Sequence, residues 1–152
     1  MRLILLPVLS ILALSACAEA AEPAEAPAPP VQATTLGSFD LAQPIRAFGT
    51  EPFWTVDVAG GTITWRDESD LVGDVPTPRS GPAGAPAING ATAVWTTQLS
   101  DGTPLVLTLT AEACPDIGEE TRALKSVVQI GDVRHEACAD ARSVYPEDSP
   151  TT

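Results

Sequence analysis

Residues 54–65 read Trp-Thr-Val-Asp-Val-Ala-Gly-Gly-Thr-Ile-Thr-Trp. Trp54, Val56 and Val58 alternate with Thr55 and Asp57, and Ile63 and Trp65 alternate with Thr62 and Thr64. A period of two puts the large apolar side chains on one face of an extended chain, the pattern of half-buried strands. Gly60-Gly61 between the runs suits a primed turn, so the stretch predicts a hairpin. The same alternation returns in Ala93, Trp95, Thr97 and Leu99, in Leu105, Leu107 and Leu109, and in Leu124, Ser126, Val128 and Ile130. Asp101-Gly102 and Gly131-Asp132 mark further turns of the same primed kind. Consecutive hairpins make an antiparallel meander. The expected fold is therefore all-β, with about six to eight strands in a small barrel or curled sheet that hides its edges.

Between Asp67 and Gly90 the alternation fails. Pro76, Pro78, Pro82 and Pro86 share the stretch with Gly73, Gly81 and Gly84. It reads as a long surface loop with one short strand near residues 71–75, either functional or a tolerated insertion. Asp67, Glu68, Asp70 and Asp74 crowd its start. They form a solvated acidic loop or a set of oxygen ligands for calcium, although their spacing is not that of an EF-hand. No metal is assigned to them.

The chain has 152 residues, which suits one domain, and a formal net charge of −12 from 20 acidic and 8 basic side chains. Such acidity argues against nucleic-acid partners and against a basic face for anionic lipid. The β domain is placed at residues 39–145, with a loose tail at 146–152. Residues 17–38 are rich in Ala, Pro and Glu, with Pro23, Pro27, Pro29 and Pro30 breaking any helix. They read as a disordered, semi-extended tether, with Glu19, Glu22 and Glu25 keeping it away from anionic head groups.

Arg2 precedes an apolar run over residues 3–16. The run is shorter than the roughly 20 residues that span a bilayer and fits the core of a secretory signal peptide. It ends Leu14-Ser15-Ala16-Cys17, which resembles the lipobox of bacterial lipoproteins. The resemblance implies a signal peptide over residues 1–16, lipidation of Cys17, and membrane attachment through its acyl chains. Ala18, where an aspartate would favour inner-membrane retention, implies an outer-membrane destination facing the periplasm. In that oxidising compartment Cys114 and Cys138 form an even pair, and a disulfide between them is expected.

Residues 48–54, Phe-Gly-Thr-Glu-Pro-Phe-Trp, followed by the strand Thr62-Ile63-Thr64-Trp65, carry a second resemblance. They are similar to the G[TN]EPFW segment of a family of small, uncharacterised bacterial envelope lipoproteins. That family also has a later cysteine segment and a closing strand ending in a second cysteine. Cys114-Pro115-Asp116 and Glu136-Ala137-Cys138-Ala139 stand in those places, while residues 117–121 depart from the family's pattern. Pro52 removes a donor and restricts Glu51, making a rigid entry to the next strand, and Gly49 permits a tight bend before it. Glu51 then has two readings. It serves the turn by accepting backbone N–H groups or Arg46, or it belongs with Pro52, Phe53 and Trp54 to a binding motif.

Trp54, Trp65 and Trp95 lie at apolar parity and read as core, with a ligand-stacking patch as the alternative. His135, the sole histidine, reads as an exposed strand residue, with a role as ligand or base as the alternative. The chain contains no GxSxG, HExxH, P-loop or dinucleotide fingerprint, and no catalytic residue or cofactor is assigned. The resulting expectation is a lipid-anchored envelope protein with a non-catalytic β domain that binds an envelope partner or serves structurally. Small lipid-anchored barrels with one disulfide also resemble membrane-bound periplasmic lysozyme inhibitors, where an acidic domain suits a basic enzyme. A hydrolase using Glu51 with another carboxylate, and a calcium-binding module using the acidic loop, complete the alternatives.

Overall fold

The computed structural model describes residues 34–67, 71–72 and 75–145. In chain order the strands are β1 (Thr35–Leu36), β2 (Phe39–Asp40), β3 (Ile45–Thr50), β4 (Phe53–Ala59), β5 (Thr62–Asp67), β6 (Leu71–Val72) and β7 (Val75–Pro76). They continue with β8 (Arg79–Pro82), β9 (Ala87–Asn89), β10 (Thr92–Gln98), β11 (Pro104–Thr110), β12 (Cys114–Pro115), β13 (Thr121–Arg122), β14 (Leu124–Ile130) and β15 (Val133–Ala141). Nine of them form one antiparallel sheet in the order β8-β5-β4-β3-β15-β14-β11-β10-β9, curled into a half-barrel. The all-β, curled-sheet expectation is met.

The inward face is the one that the alternation marks. Leu105, Leu107 and Leu109 on β11 are fully buried, as are Val56, Ile63, Trp65, Leu124 and Val128. Each such aliphatic side chain contributes about 1.5–3 kcal/mol through removal from water, which is what holds the register against a one-residue slip. Ser126 shares this face and is satisfied by donating to the Cys138 carbonyl at 3.3 Å. Leu36 and Phe39, on the β1–β2 hairpin, join the core beside Ala111 and Leu124. The first strand thus begins inside the segment that composition assigns to the tether. Leu36 is the large apolar side chain that draws it in.

Two turns follow the sequence reading and one does not. Gly60 and Gly61 both have positive φ between β4 and β5, and Gly131 does so between β14 and β15. Asp101-Gly102, by contrast, is not a two-residue link, because β10 and β11 pair only from Gln98↔Pro104. Residues 99–103 form a wider turn held by Asp101, whose carboxylate accepts from the Thr103 N–H and hydroxyl and from Arg79. These bonds, that of Arg79 foremost, hold its carboxyl down at about 2.

The proline-rich stretch is only partly a loop. β8 pairs with β5 and β9 with β10, each at an edge of the sheet. Edge strands tolerate proline and need no strict alternation, so neither left a period-two signal. Gly81 lets β8 press against β10: a Cβ there would sit 2.7 Å from Thr97 Oγ1. Of the acidic cluster, Glu68, Asp70 and Asp74 lie outside the described residues.

Candidate functional site

The sheet has an open seam. Between β3 and β15 the ladder runs from Ile45↔Ala141 to Phe48↔Cys138 and stops. Among the described residues, β3 continues to Thr50 paired only with β4, and residues 133–137 of β15 are paired only with β14. A groove of about 530 Å³ lies at this divergence, bordered by Gly49, Glu51 and Trp54 on one side, by His135 and Glu136 on another, and by Ile117 above.

Rings fill the interior where the ladder ends. Trp54 stacks on Trp65 with centroids 5.4 Å apart and planes 17° apart. His135 leans on both indoles, at 5.4 Å and 5.5 Å. Gly49 lies directly beneath the Trp54 indole, where a Cβ would come within 2.5 Å of Cε2. The Glu51-Pro52 bond at the β3–β4 tip is cis.

The outer wall is tied down by the disulfide. Cys114 and Cys138 are bonded, with Cα atoms 5.6 Å apart, which fixes β12 over β15. Arg122 on β13 donates to Asp116 at 2.8 Å and to Glu120, and its guanidinium sits 4.7 Å above the Tyr145 ring. Tyr145 in turn meets Phe48 edge-on at 5.1 Å. Burial pushes the Tyr145 hydroxyl well above the usual phenol range.

The four residues of the suspected binding motif part company. Trp54 is buried in the core, while Glu51 and Pro52 are exposed at the tip and Phe53 is 54% exposed. Arg46 does not meet Glu51. It donates from Nε to Asp57 Oδ1 at 2.7 Å and from Nη2 to Oδ2 at 2.9 Å, and Arg66 donates to Oδ2 as well. Burial raises the Asp57 carboxyl, but the Arg46 hydrogen bonds and charge, with Arg142 and Arg66 behind them, more than reverse this and hold it below its ordinary value. Glu51 makes no hydrogen bond or ion pair among the described residues, so the turn-serving reading of its carboxylate is corrected. The turn needs no carboxylate because β3 and β4 pair through to Thr50↔Phe53.

Trp54, Trp65 and Trp95 are at most 4% exposed and belong to the core, so they form no bare stacking patch. His135 is half-buried rather than exposed. The signal for its inward position was its parity with Ala137, Ala139 and Ala141 on β15. Ile117 also escaped the sequence reading as a groove residue, because which apolar side chains stay exposed depends on where the strands end. Cys17 lies outside the described residues. Compared with known proteins, the chain matches no family model, no curated protein and no solved structure.

Proposed function

We propose that this is a lipid-anchored bacterial envelope protein whose β domain is a non-catalytic binding module, with the seam groove as its site. The lipobox-like Leu14-Ser15-Ala16-Cys17 supports the anchor, and the GTEPFW segment supports kinship with the envelope lipoproteins that share that motif. The observation that carries the binding reading is Glu51. Its carboxylate stands at the rim of the groove without a partner among the described residues, whereas the other groove carboxylates, Asp116 and Glu136, are both paired with arginine. A side chain that serves the fold has internal partners. One held at a groove mouth without them is available to a ligand.

Two measurements test this. Labelling with a radioactive fatty acid should mark the wild-type protein and not Cys17→Ser, and label retained in the variant would remove the anchor. Affinity capture from envelope extract with the full chain should recover a partner whose yield falls with Glu51→Lys. Recovery indifferent to that change would remove the groove as the site.

A further inference from the structure

We infer that the groove takes an extended, basic peptide segment of a partner protein, added as a short strand along the free edge of β15. The inference rests on the binding-module reading and names the occupant of the same site. Three independent observations meet there.

The first is the backbone. Among the described residues, 133–137 have a ladder partner on the β14 side alone, so their other edge faces the seam without one. Alternate residues of an antiparallel strand turn their N–H and C=O to the same side, which makes such an edge a template for one more strand. The second is apolar exposure. Ile117, 65% exposed, lines the groove, and Phe53 and Val133, 54% and 55% exposed, adjoin its lining residues Trp54 and Arg134 in the chain. The third is charge. Glu51 is unpaired at the rim, Glu119 is exposed beside Ile117, and the chain carries a net −12. An extended segment with alternating side chains would set apolar groups toward Ile117 and lysine or arginine toward Glu51. A neutral or acidic strand would leave that carboxylate unmatched or repelled.

The test uses the full-length chain in detergent and fluorescently labelled heptapeptides read by anisotropy. Lys-Val-Lys-Val-Lys-Val-Lys should bind, while the Glu-Val counterpart should not. Methylating the alternate backbone nitrogens that face β15 should weaken the basic peptide at least tenfold, since it removes the donors that a strand needs. Glu51→Lys should weaken it at least fivefold, and Ile117→Ser, which removes the apolar contact without adding charge, should weaken it too, which keeps the test decisive if the first variant fails to fold. Absence of binding, equal binding of the acidic peptide, or indifference to methylation would each overturn strand addition of a basic segment. Envelope capture that still depends on Glu51 while the heptapeptide fails would overturn this occupant alone and leave the binding-module reading in place.

Discussion

Gly49 and Trp54 face each other across the β3–β4 ladder, with the indole lying where a side chain at position 49 would be. The indole cannot retreat, because Trp65 is stacked on its other face and His135 leans on both rings. Gly49→Ala should therefore cost about 1–3 kcal/mol by overpacking, visible as a fall of several degrees in Tm. It should also shift the tryptophan emission, since the stack must open to admit the methyl group. A Gly49→Ala protein with wild-type melting and emission would show that the rings do not occupy that space.

Asp57 sets an acid limit on the domain. Its folded carboxyl titrates below the ordinary value, so protons bind the unfolded chain first. The stability it contributes is complete above about pH 4 and is lost as pH falls through the folded value. Asp101, also lowered, acts in the same window, so the informative quantity is the difference between proteins. Asp57→Asn should flatten the acid limb of stability against pH relative to wild type. At pH 7 it should cost about 2–4 kcal/mol, below the 3–5 of a fully buried broken pair because Arg66 reaches solvent. Denaturant unfolding from pH 7 to pH 3 measures both effects, and parallel curves for the two proteins would refute the assignment.

The Cys114–Cys138 bond spans 24 residues of chain, a separation that the chain-entropy model converts to about 3–4 kcal/mol. Cys114→Ser and Cys138→Ser should lose this stability about equally, and the double variant should lose no more than either, because one bond is removed in all three. Thiol titration of the native domain should find neither cysteine reactive. Additive losses in the double variant would mean that each side chain acts by packing and not through the bridge.

Much of this fold could be read from the sequence because one physical rule, burial of a single face, wrote a period of two into β4, β5, β10, β11 and β14. What escaped was decided elsewhere. β8 and β9 are edge strands, so Pro82 and Ala87 face no rule of alternation there. Leu36 lies inside the segment that composition assigns to the tether, and it is buried in a core it shares with the far-off Leu124. At the site, residues 48–54 stand out in the sequence, but the structure divides them between core and tip, and the seam was not legible. It exists because the β3–β15 ladder stops at Phe48↔Cys138, and no residue type encodes the end of a ladder. His135 was misplaced for a related reason: histidine is at home on either face of a strand, and only its parity with Ala139 betrays the side.

Glu51 distinguishes a structural carboxylate from a binding one. Had it served the turn, removing its charge would weaken charge-assisted hydrogen bonds that every folded molecule makes, at a cost of about 1.5–3 kcal/mol. The structure gives it no such bonds and leaves it exposed beside the cis Pro52. Glu51→Gln should then fall within about 0.5 kcal/mol of wild type, as surface changes away from such features do. The charge should matter only when a partner is present. Capture from envelope extract, and binding of the basic heptapeptide, should both drop, and the wild-type signal should decline as salt is raised from about 50 to 500 mM while the Glu51→Gln residue of binding declines less. Asp57→Asn is the opposite case, because it should lower stability while leaving peptide affinity near wild type in the fraction that remains folded. Melting curves and anisotropy titrations on the two variants separate the roles. Lost stability with retained binding in Glu51→Gln would return the carboxylate to the turn.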